Sequence, residues 1–328
     1  MRRDQYTISS GELKRKDNTI YFIKADGAKQ SLPVEQLKDI HIFGEVDFNT
    51  KLLNYLSQYD ICLHIYNYYG YYAGTYYPRE KNVSGLTIVK QSEHYLDQDK
   101  RLYLAQQFVE SAVHHILRNL RRYKEKIPQA INFIESERKK MDKTEKIQEL
   151  MGLEGNIRQY YYESFGDILN RKFVINKREK QPPTDPLNAM ISFGNQLTYR
   201  AVLSEIYRTQ LTPTVSFLHE PSTKRFSLSL DLGEIFKPLL VDTIIFSLVN
   251  RNSIGEKHFD YLEKEVCFLN DEGKKKFISA WEEKLSQTVK HRTLKRNTSY
   301  RYLIRLECYK LIKHFIGDEI YKPLKAWW

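Results

Sequence analysis

Between Phe217 and Val249 the chain gathers a histidine, His219, and two carboxylates, Asp231 and Glu234, at the mouth of an apolar helix. Lys237 lies a turn further in, and the basic pair Lys224-Arg225 falls between His219 and Asp231. Histidine with carboxylates is a ligand set suited to Mn²⁺- or Mg²⁺-type chemistry. Cations beside it suit a phosphate substrate. Each residue also has a plainer role. A single loop histidine is more often structural than ligating, and D-x-x-E at a helix start is the pattern of an N-cap with its N3 partner. Helix capping alone accounts for Asp231. For Glu234 both roles stand, because Ile235 to Leu248 is so apolar that the helix must be largely buried.

A third carboxylate stands out upstream. Glu154 sits inside the apolar stripe Ile147, Leu150, Met151, Ile157, Tyr161 and Phe165, flanked by Gly152 and Gly155. A carboxylate facing a core is costly unless paired, hydrogen-bonded or metal-bound. The alternatives are a buried ion pair with Arg or Lys and a metal or catalytic role; Arg158, one turn on, is placed to bond Glu154 or a phosphate. Two helix-interior glycines cost about 1 kcal/mol each relative to alanine, which implies a packing or functional reason.

The elements that must position these groups follow from periodicity. Residues 1 to about 80 read as β, with strands at Thr19–Ile23, Ile40–Phe43 and Ile61–Tyr66 and a short helix, Lys51 to Tyr59, capped from Asn49. The segment NYYGYYAGTYYP that follows reads as an edge hairpin whose tyrosines pack, or as a stacking platform for bases. A polar linker over about 81–97 leads into a mainly helical remainder. There Leu104, Phe108, Ala112, Ile116 and Leu120 mark one amphipathic helix, in which His114 and His115 read as ordinary surface and core residues. The charge-dense stretch Arg121 to Lys146 reads as solvated helices joined at Pro128. Asp185-Pro186 opens another helix, where Met190, Phe193, Leu197 and Ala201 face the core and Asn188, Ser192 and Tyr199 are capping or site-lining groups. The fold class is α+β: a β-domain over 1–80, then an all-helical domain over 98–328 that carries the site.

Composition bounds the function. A formal net charge of +11 over 328 residues, with 24 tyrosines, favours a polyanionic partner such as DNA. Three scattered cysteines, Cys62, Cys267 and Cys308, argue against a zinc ribbon or disulfide framework and fit a reducing cytoplasm. The N-terminus lacks the apolar run of a signal peptide, and Pro238–Val249 is too short for a membrane span.

The order Leu153-Glu154-Gly155, Asn188-Ala189-Met190-Ile191-Ser192-Phe193-Gly194, His219, then Ser227 through Pro238 resembles one family. This is the universal CRISPR-associated nuclease and integrase of spacer adaptation, the first-numbered Cas protein, and Leu32-Pro33-Val34 and Ile40–Gly44 are similar to its β-domain. The resemblance implies one divalent metal, Mn²⁺ or Mg²⁺, held by Glu154, His219 and Glu234, with Asp231 as a supporting carboxylate. It places Lys237 near the scissile phosphate, and Lys224, Arg225, Arg158 and Asn188 are further candidates for DNA contact. Gly233 departs from the larger residue common there, and Glu220-Pro221-Ser222 replaces a glycine-rich turn. Also implied are antiviral defence by insertion of captured double-stranded DNA into a CRISPR repeat, a homodimer through the β-domains, and a small ferredoxin-like second adaptation protein as partner. A stand-alone metal-dependent nuclease and a non-catalytic basic DNA-binding module are the competing functions. The terminal Trp327-Trp328 reads either as a partner anchor or as a segment docked on its own helical domain.

Overall fold

The computed structural model describes residues 2–170, 173, 175, 178, 182–222, 226–262 and 266–328. The chain divides into two units, Met1–Lys81 and Asn82–Trp328.

In the first unit, short runs punctuated by turn residues become strands: β1 (Arg3–Thr7), β2 (Gly11–Lys16), β3 (Thr19–Lys24), β4 (Lys29–Pro33), β5 (Leu37–Ile42), β6 (Val46–Asp47), β7 (Leu63–Tyr66) and β8 (Tyr72–Tyr76). They form two four-stranded sheets, ordered β4-β3-β2-β6 and β1-β5-β7-β8. Helix α1 (Thr50–Gln58) starts as its sequence dictates, the Asn49 side chain accepting from the Leu52 amide at 3.3 Å. Leu52 and Leu56 of α1 join Leu13, Ile20, Phe22 and Ile40 in one core. The Tyr/Gly segment is an edge hairpin: β8 pairs antiparallel with β7 at the end of its sheet. The Asn67 carboxamide closes the turn by accepting from the Tyr69 and Tyr71 amides.

The second unit is built on helices α2 (Gly85–Leu96), α3 (Gln98–Leu120), α4 (Pro128–Met141), α5 (Ile147–Glu163), α6 (Phe165–Ile168) and α7 (Pro186–Tyr207). They continue as α8 (Ser227–Lys237), α9 (Thr243–Asn250), α10 (Asp271–Ser286) and α11 (Tyr300–Phe315). Helix α2 lies within the stretch expected as linker. Among the described residues, two short antiparallel strand pairs interrupt the expected all-helical domain: β9 (Phe259–Leu262) with β10 (Val266–Leu269), and β11 (Thr288–Lys290) with β12 (Asn297–Ser299). Their aromatic and β-branched residues favour extended backbone over helix.

Helix α7 is the central post. Its start matches the sequence signal, with Asp185 accepting from the Asn188 amide at 2.8 Å and Pro186 in the first turn. Its Leu187, Met190, Ile191, Leu197 and Val202 are all buried. Between α8 and α9 the backbone makes a π-helical turn, Pro238–Asp242, because Pro238 has no N–H for the α-helical ladder. The terminal segment Tyr321–Trp328 is docked on its own helical unit, against α3 and α11. Among the described residues no helix is long and apolar enough to cross a membrane.

Candidate metal centre

Helix α8 begins at Ser227, four residues before Asp231. Asp231 is therefore in the helix interior and not its N-cap, contrary to the capping expectation. The alternating Ser227-Leu228-Ser229-Leu230 is helical with both serine hydroxyls bonded, Ser229 locally to Phe226 O and Ser227 across to Thr214 O of the preceding loop, while Leu228 is buried. The Asp231 carboxylate, fully buried, reaches instead to the loop before α8. It accepts the backbone amides of Phe217 (2.6 Å), Leu218 (3.0 Å) and His219 (3.0 Å), and the His219 Nδ1–H at 2.8 Å. An acceptor-only carboxylate fixes the tautomer. Nδ1 carries the proton, and Nε2 is the ring nitrogen left for a ligand or phosphate. Burial disfavours the charged ring, but the Asp231 hydrogen bond and charge outweigh it and raise the His219 pKa.

One turn further along α8, Glu234 faces α5. Arg158 donates to Glu234 with one guanidinium nitrogen and to Glu154 with another. Lys237 Nζ donates to the second Glu234 oxygen at 2.5 Å. Of the two roles open for Glu154, an ion pair with Arg158 is present, half-buried, and the same cation gathers the second carboxylate. Glu234 is nearly sealed, at 5% side-chain exposure, while Glu154 and His219 keep 22% and 29%. The centre consequently has a dry floor and a solvent-facing rim. Burial works against the Glu234 carboxylate, yet the charges of Arg158, Lys237 and His219 bring its pKa down to about 2. Burial likewise opposes the Arg158 charge, and the two glutamates raise its pKa well above the ordinary value.

Among the described residues no set of three His, Cys, Asp or Glu closes around a point. A guanidinium stands between Glu154 and Glu234. The donors fit a hard divalent cation all the same: two carboxylates from different helices already converge on one positive charge. Beside them is an imidazole of fixed tautomer, near enough for the Glu234 charge to act on it.

Lys237, at the end of α8, also lies over the Tyr199 ring of α7, 4.9 Å from its centroid. Gly233 makes that approach possible: a Cβ there would meet two Tyr199 ring carbons at 2.9 Å. Gly152 and Gly155 have no such packing reason, since a Cβ at either meets nothing within 4 Å, and neighbouring Met151 is exposed. Asn188 is fully buried in the first turn of α7, bonded to Asp185 and accepting from Arg178 at 2.7 Å. Arg178, which also donates to Ser192 Oγ at 3.1 Å, was not singled out from sequence. It belongs to a stretch without periodicity, where one arginine looks like any other. Lys224 and Arg225 lie outside the described residues.

The family model of CRISPR associated protein Cas1 matches residues 6–283. A CRISPR-associated endonuclease Cas1 of Clostridium perfringens is 58% identical over 331 residues, covering 100% of both chains. The structure of a CAS1 protein from Thermotoga maritima is 42% identical, with a TM-score of 0.89 over 97% of this chain and 99% of that one. A Cas6-RT-Cas1–Cas2 complex shares the fold at 17% identity, with a TM-score of 0.85 over 99% of this chain and 36% of its own. With a family match across most of its length and relatives of this identity from end to end, the chain belongs to the Cas1 family of CRISPR-associated proteins.

Proposed function

We propose that this protein is a divalent-metal-dependent DNA endonuclease and integrase that inserts captured DNA fragments into a CRISPR array. The observation that carries the reading is the convergence of Glu154 and Glu234, from α5 and α8, on one positive charge beside an Asp231-oriented His219. Membership of a family whose relatives are named endonucleases supports it.

Glu154, Glu234 and His219 Nε2 would hold the cation, the nitrogen ligand tilting preference toward Mn²⁺ over Mg²⁺. Bound there, the ion would supply Lewis-acid polarisation of the phosphodiester and activation of the nucleophile. The protein's own residues do the rest. Asp231 keeps the His219 lone pair outward, and the neighbouring cations keep Glu234 ionised. Lys237, whose pKa is raised by Glu234 against the effect of burial, stays positive beside the developing phosphoryl charge. Once displaced from the carboxylates, the Arg158 fork is shaped to pair with two phosphate oxygens. In integration the fragment's 3′-oxygen bonds to phosphorus, and the cut repeat strand departs with its own 3′-hydroxyl. Water in place of that hydroxyl gives strand cleavage. No protein nucleophile is needed.

The same reading has the protein working on double-stranded DNA, as a homodimer through the β-unit and with a small ferredoxin-like second adaptation protein. The shared fold with the Cas1-containing chain of a Cas6-RT-Cas1–Cas2 complex supports that class of partner.

The test is strand transfer of a short duplex with free 3′-hydroxyls into a supercoiled repeat plasmid, with the partner, in Mn²⁺ and in EDTA. Metal-dependent joining should vanish in Glu154→Ala, His219→Ala and Glu234→Ala. Cutting without joining would make the protein a plain nuclease. Salt-sensitive DNA binding with neither reaction would leave only a basic binding module.

A further inference from the structure

The segment Tyr321–Trp328 runs along α3, and α3 side chains take its main-chain oxygens in order. Tyr103 Oη donates to Tyr321 O at 2.8 Å, Ser111 to Leu324 O, His114 Nε2 to Ala326 O at 3.0 Å, and Arg118 to Trp328 O. The lengths agree. The helical rise from Tyr103 to Arg118 is about 22 Å, and extended chain from Tyr321 to Trp328 reaches about 23 Å. Tyr321, Leu324 and Ala326 are buried between these bonds.

One residue of α3 faces both ways. His115, fully buried, accepts the Ala326 amide at Nε2 (3.0 Å), while its Nδ1 bonds the Ile235 carbonyl at 2.9 Å. An amide only donates and a carbonyl only accepts, so the ring is neutral with its proton on Nδ1. Burial agrees with this, pushing the pKa of His115 down to about 3. Ile235 is the neighbour of Glu234. Pro238 has no N–H, so the last turn of α8 lacks one bond of its own ladder. Asn119, one turn on from His115, donates to the Pro238 carbonyl at 2.8 Å. The end of α8 is thus braced from α3.

We infer that His115 is a positioning residue for Glu234, acting through the Ile235 carbonyl, and that Tyr321–Trp328 is the strap that fixes the His115 ring. This rests on the metal-dependent reading above. Without the strap the Nε2 lone pair loses its donor, the ring is free to turn, and Glu234 loses its backbone reference.

The experiment measures Mn²⁺ binding by electron paramagnetic resonance, together with the Mn²⁺ dependence of DNA cleavage. The proteins are wild type, Glu234→Gln, His115→Phe, His115→Gln and a chain ending after Lys325. His115→Phe and the shortened chain should each bind Mn²⁺ about tenfold more weakly. Each should recover most of its turnover at saturating Mn²⁺, whereas a fold lesion would lower turnover and leave metal affinity alone. His115→Gln, which can both donate and accept, should restore part of the affinity. The shortened chain keeps Tyr321 and Leu324 packed and serves if His115→Phe does not fold. Unchanged Mn²⁺ affinity in both, with affinity lost in Glu234→Gln, overturns the positioning role and spares the metal site. Unchanged affinity in Glu234→Gln overturns the metal reading, and the positioning role with it.

Discussion

Asp231 grips His219 twice, by its backbone amide at 3.0 Å and by its ring Nδ1 at 2.8 Å, from one buried carboxylate oxygen. The other oxygen holds the amides of Phe217 and Leu218. Loop shape and ring tautomer therefore depend on one side chain.

Asp231→Asn should break both. An amide has one acceptor oxygen for four donors, and its NH₂ would face N–H groups. Each buried donor left unpaired costs about 1–3 kcal/mol, and an outer-shell change of this kind weakens metal binding roughly 10–100-fold. Thermal melts with a Mn²⁺ titration would show it. Wild-type metal affinity in the variant would remove Asp231 from the site.

Arg158→Met should separate competition from support. If the guanidinium holds the place of the metal, the variant in EDTA melts below wild type, because Glu154 and Glu234 then face each other with only Lys237 left to offset Glu234. Added Mn²⁺ should stabilise it more than wild type, as mass action requires of a tighter ligand. A smaller Mn²⁺-induced shift than in wild type would mean that Arg158 supports the bound ion.

Asp242, at the end of the π-helical turn, is fully buried beside the Tyr161 hydroxyl. Burial pushes its pKa up to about 7 despite the Tyr161 hydrogen bond and the charges of Arg158 and Lys237. A folded pKa raised above the unfolded value gives stability that is complete below pH about 4 and is lost as pH rises to the folded pKa. Relative to Asp242→Asn, the wild type should lose up to roughly 1.4 kcal/mol per pH unit across that window. Urea unfolding at pH 5, 6 and 7 measures the slope, and identical slopes in both proteins would disprove the assignment.

Gly233→Ala should destabilise even though alanine is the better helix former by about 1 kcal/mol. Its Cβ would meet the Tyr199 ring at 2.9 Å, and overpacking typically costs about 1–3 kcal/mol. In a Tyr199→Ala background the same substitution should become neutral or stabilising. A double-mutant cycle without coupling would place the constraint elsewhere.

Several features were legible because they are local. The Asn49 and Asp185 caps, the apolar stripe of α3 and the hairpin ending in Tyr72–Tyr76 are set by residues within a few positions of one another. The Glu154–Arg158 pair is equally local, one helical turn apart. The capping reading of Asp231 fails on the same ground. A carboxylate near a helix start looks like a cap until the 217–219 loop folds back onto it. Gly152 and Gly155 misled in the opposite sense, since neither is closely approached.

Chain order alone was enough for the α+β division, the family and the residue types able to hold a hard cation beside phosphate. Those follow from periodicity, composition and order along the chain, which survive without coordinates. Packing was needed to settle which charge sits between Glu154 and Glu234, which nitrogen His219 presents, and that His115 joins the terminal segment to α8. Each of these is a hydrogen bond between residues far apart in sequence, and its existence depends on how helices pack rather than on what any one of them contains.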